Sequence, residues 1–349
     1  MSTAGRYIRW TPPQERPRLL PIPLPRPAGP LWLVWRQHRA VYCTVLALAA
    51  VASAWALWQR HRLAADVQAY ADVCGLDRFC TQPVPDATET VLRRFPPILS
   101  YLPSAVAALL GAPLFAQDID RGTHRLAWTQ SYGRGEWVTA KLMTTAVVTT
   151  AGALLITTPV TWWWYTVWRG REGDGSVGIA WRSIASGNDW AFFEYTGAVG
   201  IAHLLLALIA GATVGLVLRN IVLAVAVAAA SGYGLQSGLR WLRPHLVPAQ
   251  IHPSPTVDYP PLPPNTWHLG GGYLRTDGTL TSTAPCPQPY PGNPQTECLH
   301  AHGLQSPYTE DLRGAQFLPL HLVETALCLT VAAILTTLCT IYVHRITTR

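Results

Sequence analysis

The sequence predicts an all-α integral membrane protein with six transmembrane helices, both termini cytoplasmic and a loop-rich external cap between helices 5 and 6. Three observations carry that reading. Apolar residues make up 49% of the chain and charged residues only 13%, about half the charged share of an ordinary soluble domain. Six apolar runs approach or exceed the ~20 residues that cross a hydrocarbon layer. The arginines flank those runs and form no single patch, which argues against a nucleic-acid partner despite a net charge of +7. The expected setting is the plasma membrane, with the lipid bilayer as the main contact.

Residues 1–39 read as a Pro/Arg-rich cytoplasmic tail ending in an interfacial helix. Pro21-Ile-Pro-Leu-Pro-Arg-Pro27 favours extended polyproline II and has no reason to pack. Leu31 to Arg39 places Trp32 and Trp35 among apolar neighbours before three basic residues. A short interfacial helix fits that pattern. So does an extended first span with an aromatic belt.

Residues 40–242 hold helices 1–5, expected at Ala40–Trp58, Ile98–Ala116, Trp137–Tyr165, Tyr195–Leu218 and Ile221–Leu239. Ala50-Val-Ala-Ser-Ala-Trp55 resembles a small-residue cleavage site. Its long N-terminal flank and the following Arg60 and Arg62 favour an uncleaved span. Pro103, Pro113 and Pro159 lie in or near spans and predict kinks whose freed carbonyls need partners on neighbouring helices. Only Arg219 and Asn220 separate helices 4 and 5, a tight hairpin. The segment 166–194 reads as an irregular surface loop around Gly173-Asp-Gly-Ser.

Residues 243–318 form the external cap, whose Pro260-Pro-Leu-Pro-Pro264 and Gly270-Gly-Gly272 argue against regular helix. Residues 319–349 supply helix 6, expected at Leu320–Val343, and a short cytoplasmic tail.

Orientation rests on two signals. The arginines give moderate positive-inside support for a cytoplasmic N-terminus, and most of the 19 acids fall in the three outside loops. The cysteines agree. Cys74 and Cys80 share the first outside loop and Cys286 and Cys298 the last, as disulfides in an oxidising compartment would require. The local pairing is the simplest of three connectivities.

Several chemistries have no motif here. The chain lacks a Gly-x-x-x-x-Gly-Lys-Ser/Thr phosphate loop, and Lys141 is its one lysine. It also lacks a His-Glu-x-x-His zinc motif and a Gly-x-Ser-x-Gly nucleophile turn. No catalytic residue, metal or cofactor is therefore assigned to this chain. His268, Cys298, His300 and His302 share the exterior loop, where histidines more often face solvent than ligate a metal.

Ionisable groups inside a membrane are functional candidates because a charge there is costly. His203 in helix 4, Gln236 in helix 5 and Glu324 in helix 6 are the candidates for a translocation path. A neutral His203 hydrogen-bonded between helices is the plainer account, and Glu324 and His321 lie near the outer end of helix 6. A proton-coupled carrier would need a connected chain of such groups, and none is evident along the sequence. Gly211-x-x-x-Gly215 and Gly234-x-x-x-Gly238 permit close helix packing, within one chain or between two.

The polar island at 117–136 is too specifically decorated to be a spacer. It carries Asp118, Asp120, Arg121, Gly122, Thr123, His124, Arg125, Trp128, Arg134 and Glu136, and leads on to Trp137 and Lys141. From Leu110 to Ser131 it resembles the second span and first cytoplasmic loop of ABC transporter type 2 permeases, actinobacterial members most closely. Those permeases have an acidic pair before Gly-Thr, matched by Asp118, Asp120, Gly122 and Thr123. This chain departs in having aspartates where glutamate is usual, and Gly133 where Ser or Thr commonly precedes the arginine. The resemblance implies a short cytoplasmic coupling helix that docks on a separate ABC ATPase. ATP and Mg would be bound by that partner, and the permease would act as a homodimer or with a paralogous permease. Trp128 would be a buried anchor of the kind that dominates interfaces, with Glu136 at the start of helix 3.

The implied function is the permease subunit of an exporter of a hydrophobic or amphipathic molecule. The alternative is a membrane-embedded binding or sensor protein with an external ligand-binding cap and no transport activity. A sensor would need a cytoplasmic signalling domain, for which little chain remains.

Overall fold

A computed structural model describes residues 29–77, 97–122, 133–184, 192–218, 220–254, 265–282 and 295–346. Six helices among them are long and apolar enough to cross a membrane. They are α1 (Pro30–Cys74), a composite second span, α4 (Arg134–Glu172), α6 (Gly197–Leu218), α7 (Ile221–Leu242) and α9 (Phe317–Ile346). The second span runs through α2 (Leu102–Val106), a π-helical turn (Ala107–Gly111) and α3 (Ala112–Asp120).

Helix α1 starts with proline in its first turn, where a missing N–H costs nothing. It runs unbroken through Trp32 and Trp35 into the span, so the interfacial stretch and the first span are one helix. It continues to Cys74 and ends on Gly75 (φ +56°), whose N–H bonds the Ala71 carbonyl at 2.9 Å. Cys80 and Cys286 lie outside the described residues, so both expected cysteine pairings do too.

The prolines are accommodated in three ways. Pro103 sits in the first turn of α2. Pro113 follows the π-helical turn, which shifts the ladder where a proline cannot donate. Pro159 lies inside α4 and frees the carbonyl four residues back, at Leu155. The Ser53 hydroxyl of α1 donates to that carbonyl. A neighbouring helix thus supplies the partner that the sequence demanded.

Helix α6 is central and packs on the second span, α4, α7 and α9. Its two glycines make the approach possible. A Cβ at Gly211 would stand 2.2 Å from the Ala107 carbonyl oxygen, and one at Gly215 2.2 Å from that of Ala112. The Gly211–Gly215 pair therefore packs within the chain. Gly234 and Gly238 of α7 meet nothing within 4 Å. Asn220 closes the hairpin between α6 and α7 by accepting from Leu223 N–H at 3.0 Å.

Two sequence expectations need correction. The segment after α4 is not irregular throughout: α5 (Gly175–Ile184) folds there, and its buried Trp181 packs with Leu63, Val67, Tyr70 and Trp163 in an aromatic core. Nor is the protein all-α. The segment between α7 and α9 contains β1 (Gln250–Pro253), β2 (Trp267–Arg275), β3 (Leu280–Thr281) and β4 (Leu304–Leu312), with a short α8 (Gln295–Ala301). The strands form one antiparallel sheet in the order β1-β4-β2-β3.

The triple glycine, which argued against regular helix, lies in strand β2. The register shifts between His268 and Gly270, and a Cβ at Gly272 would stand 2.1 Å from the Thr281 carbonyl oxygen. These glycines allow a bulge and a close strand approach. The sheet is fastened to the helices by Asn265, whose amide donates to the Trp168 carbonyl at 3.0 Å and to Glu172 at 3.1 Å. Phe193, Val199, Leu312 and Leu320 seal the junction.

Candidate functional site

Charged groups buried among the spans gather at the two ends of the bundle. At the sheet-bearing end, the turn Phe193–Tyr195 delivers Glu194 just before α6 begins. Gln236 and Arg240 share one face of α7, and Arg243 follows in the next turn. His203 comes from α6, and His321 and Glu324 from α9. Glu324 is fully buried, and His203, Glu194, Gln236 and Arg243 are buried beside it.

Their contacts are mutually satisfying. Arg243 grips Glu324 at two points, Nε to Oε2 at 2.9 Å and Nη2 to Oε1 at 2.8 Å. Its third nitrogen, Nη1, donates to Glu194 Oε1 at 3.0 Å. Arg240 donates to both Glu194 oxygens, at 2.6 and 2.8 Å. Tyr195 OH (3.0 Å) and the Gln236 amide also donate to Glu194 Oε2. His203 Nε2 lies 2.9 Å from Glu324 Oε1. An ionised carboxylate only accepts, so the network assigns the proton to Nε2.

Two carboxylates and two guanidiniums balance, so their charges cancel. That balance is what lets the cluster persist in a low-dielectric setting. The Phe193 ring lies against Arg243 at 4.7 Å.

At Glu194, burial raises the carboxyl's pKa. The Arg240 hydrogen bond and the charges of Arg243 and Arg240 together outweigh it, and the group is held at about 2. Burial pushes the Tyr195 phenol above its ordinary value, and the Glu194 charge adds to the effect.

The sequence named His203, Gln236 and Glu324, and the structure brings all three into this cluster. It missed Glu194, Arg240 and Arg243, which read as loop or flanking charges. It also found no connected chain of ionisable groups, whereas His203, Glu324, Arg243, Glu194 and Arg240 are connected in that order. The i, i+4 spacing of Gln236 and Arg240 was the one local signal available.

At the other end, α3 and α4 are bonded together beside the polar island. Lys141 Nζ donates to Asp118 Oδ2 and to the Leu114 carbonyl, both at 2.6 Å, and Lys141 is 1% exposed. Gln37 of α1 donates to Asp118 Oδ1 at 3.0 Å. The Lys141 ammonium lies 4.9 Å from the Trp137 ring.

Asp118 was expected on a docking surface. Its carboxylate is instead turned into the bundle, because the only lysine needs a counter-charge there. Asp120 and Arg121 are exposed, and Gly122 (φ +70°) turns the chain out of the helix. Thr123, His124, Arg125 and Trp128 lie outside the described residues. Arg134 opens α4, and the Glu136 carboxylate accepts from Gly133 N–H at 3.1 Å. Glu136 therefore caps the helix, as its place at the start of the span predicted.

Among the described residues neither end holds a nucleophile set against a base. What both can do is hold helices in one arrangement through contacts that can be broken and remade. The sequence model of the family described as ABC-2 membrane transporter related matches residues 46–243, more than half of the chain. No curated protein and no solved structure matches it.

Proposed function

The chain belongs to the ABC-2 membrane transporter related family, and on that premise we propose that it is the membrane-spanning permease subunit of an ATP-driven exporter. The family and the six apolar spans make it a multi-pass protein of the plasma membrane. Members are non-catalytic transport subunits whose general partner is an ABC ATPase. In our reading two permease copies, or one copy and a paralogue, pair with two ATPase subunits that bind ATP and Mg. The island end faces the cytoplasm and the sheet faces outward.

The observation that carries this reading is the buried Lys141–Asp118–Gln37 joint. It ties α1, α3 and α4 together where the island leaves the bundle. A push on an ATPase-docked segment there would be delivered to three spans at once. The cluster around Arg243 and Glu324 would hold the outer ends of α6, α7 and α9 closed until that push arrives. Its charges are engaged with one another, which leaves apolar wall for a hydrophobic or amphipathic cargo.

The test is co-purification with the ATPase subunit and stimulated ATP hydrolysis in proteoliposomes. Trp128→Ala or Arg125→Glu is expected to abolish both while leaving the spans folded. Normal co-purification and transport in the two variants would remove the docking role of the island.

A further inference from the structure

Three contacts mark off a length of this bundle that matches a hydrocarbon layer. Gly197 N–H, at the start of α6, donates to Thr161 Oγ1 of α4 at 2.9 Å. Arg60 of α1 reaches the next turn of α4, with Nε 3.4 Å from Thr166 Oγ1. At the opposite end Gln37 and Lys141 meet on Asp118. From Lys141 to Thr161 along α4 is about 30 Å, and from Gln37 to Arg60 along α1 about 35 Å. Both lengths match a hydrocarbon core of about 30 Å bounded by headgroups. Thr161, Gly197 and Arg60 thus share one boundary, and the sheet and α5 stand beyond it.

At that boundary α4 presents Trp162, Tyr165, Thr166 and Arg169 on one face, spaced as one side of a helix. The Arg60 guanidinium lies over the Trp162 ring at 3.6 Å. That of Arg169 lies over the Tyr165 ring at 4.4 Å, with Nη2 3.2 Å from the phenolic oxygen. Trp162 and Tyr165 are half exposed. Among the described residues neither arginine has an acidic partner, unlike Arg240, Arg243 and Arg313. Each guanidinium uses one N–H on α4, so the others remain as directed donors. Stacking on a ring holds a long side chain in place at little cost to those donors.

We propose that Arg60 and Arg169, set on Trp162 and Tyr165, bind the phosphate of an anionic phospholipid headgroup at this boundary of the α1–α4 pair. Two fixed guanidiniums at headgroup depth complement a phosphate diester, and the aromatic rings below them meet the glycerol and upper acyl region. The site depends only on the protein's being in a membrane, not on the exporter reading.

The experiment uses the full chain in nanodiscs of phosphatidylcholine alone or with an equal share of phosphatidylglycerol. Retained lipid is read by native mass spectrometry and stability by melting. The wild-type chain is expected to retain phosphatidylglycerol and to melt higher in the mixed discs. Arg60→Gln and Arg169→Gln should each lower apparent phosphatidylglycerol affinity about fivefold, and together they should remove the lipid-dependent rise in melting. Their melting in pure phosphatidylcholine should equal wild type, which separates lost binding from lost folding. Arg275→Gln, on the exposed sheet, should change nothing. Undiminished phosphatidylglycerol retention in the double variant overturns the proposal. So does an equal rise produced by inorganic phosphate in pure phosphatidylcholine discs, which would make this a free-phosphate site.

Discussion

Arg243 and Glu324 meet in a two-point contact, at 2.8 and 2.9 Å, with Glu324 fully buried and 81 residues away in sequence. Because the same guanidinium also reaches Glu194, α7, α9 and the turn before α6 are joined through one side chain.

Arg243→Ala would leave Glu324 with His203 as its one partner among the described residues. Breaking one side of a buried pair costs about 3–5 kcal/mol, and a loss of that size is expected in chemical or thermal unfolding from nanodiscs. Glu324→Gln combined with Arg243→Met should lose much less than the two single changes added together. Simple additivity would mean that the pair is not coupled.

Glu194 supplies a pH dependence whose sign is fixed. Its carboxyl sits at about 2 in the folded protein against an ordinary 4.5. A depressed acid contributes stability that is complete above 4.5 and is lost as pH falls through 4.5 towards 2. The contribution is roughly 3 kcal/mol. Melting profiles should therefore fall in that acid window, and Glu194→Gln should flatten this part of the fall. An identical slope in the variant would show that other carboxyls account for it.

Lys141 is the only lysine, so amine chemistry reports on it directly. Buried against Asp118, it should acylate far more slowly than the chain's amino terminus when the folded protein is treated with an amine-reactive ester. Asp118→Asn should speed labelling at Lys141 by at least about tenfold, by loosening a contact of this class. Rapid labelling of the wild-type lysine would show that the joint is open in solution.

The glycines divide into two classes. Gly211→Val or Gly215→Val would drive a side chain into the backbone of the second span and should prevent stable assembly. Gly234→Ala and Gly238→Ala meet open space and should be neutral, or stabilising by up to about 1 kcal/mol through helix propensity. Expression and melting of the four variants measure the difference.

Much of the architecture was legible along the chain. Pro159 announced a freed carbonyl, and Ser53 was found on it. Asn220 announced a hairpin and caps α7. Glu136 announced a helix start and caps α4. These are local rules, and local rules survive in a membrane. The sheet was not legible, because Gly270-Gly-Gly272 reads as a loop until a partner strand is known to pass close to it. Asp118 was misplaced for a similar reason. It opens a polar island in sequence, but Lys141 lies against it in space.

By itself the sequence determined six spans and the polar island, because length and hydropathy act over a few residues; the ends of the first span, expected at Ala40–Trp58, lie at Pro30 and Cys74. It also nominated His203, Gln236 and Glu324. Only the tertiary structure decided that these meet Glu194, Arg240 and Arg243 in one cluster. The spans are apolar on nearly every side, so their periodicity carries almost no record of which face meets which neighbour. That choice is made by close packing, as at Gly211 and Gly215, and the buried charges must find counter-charges on whatever faces the packing brings together.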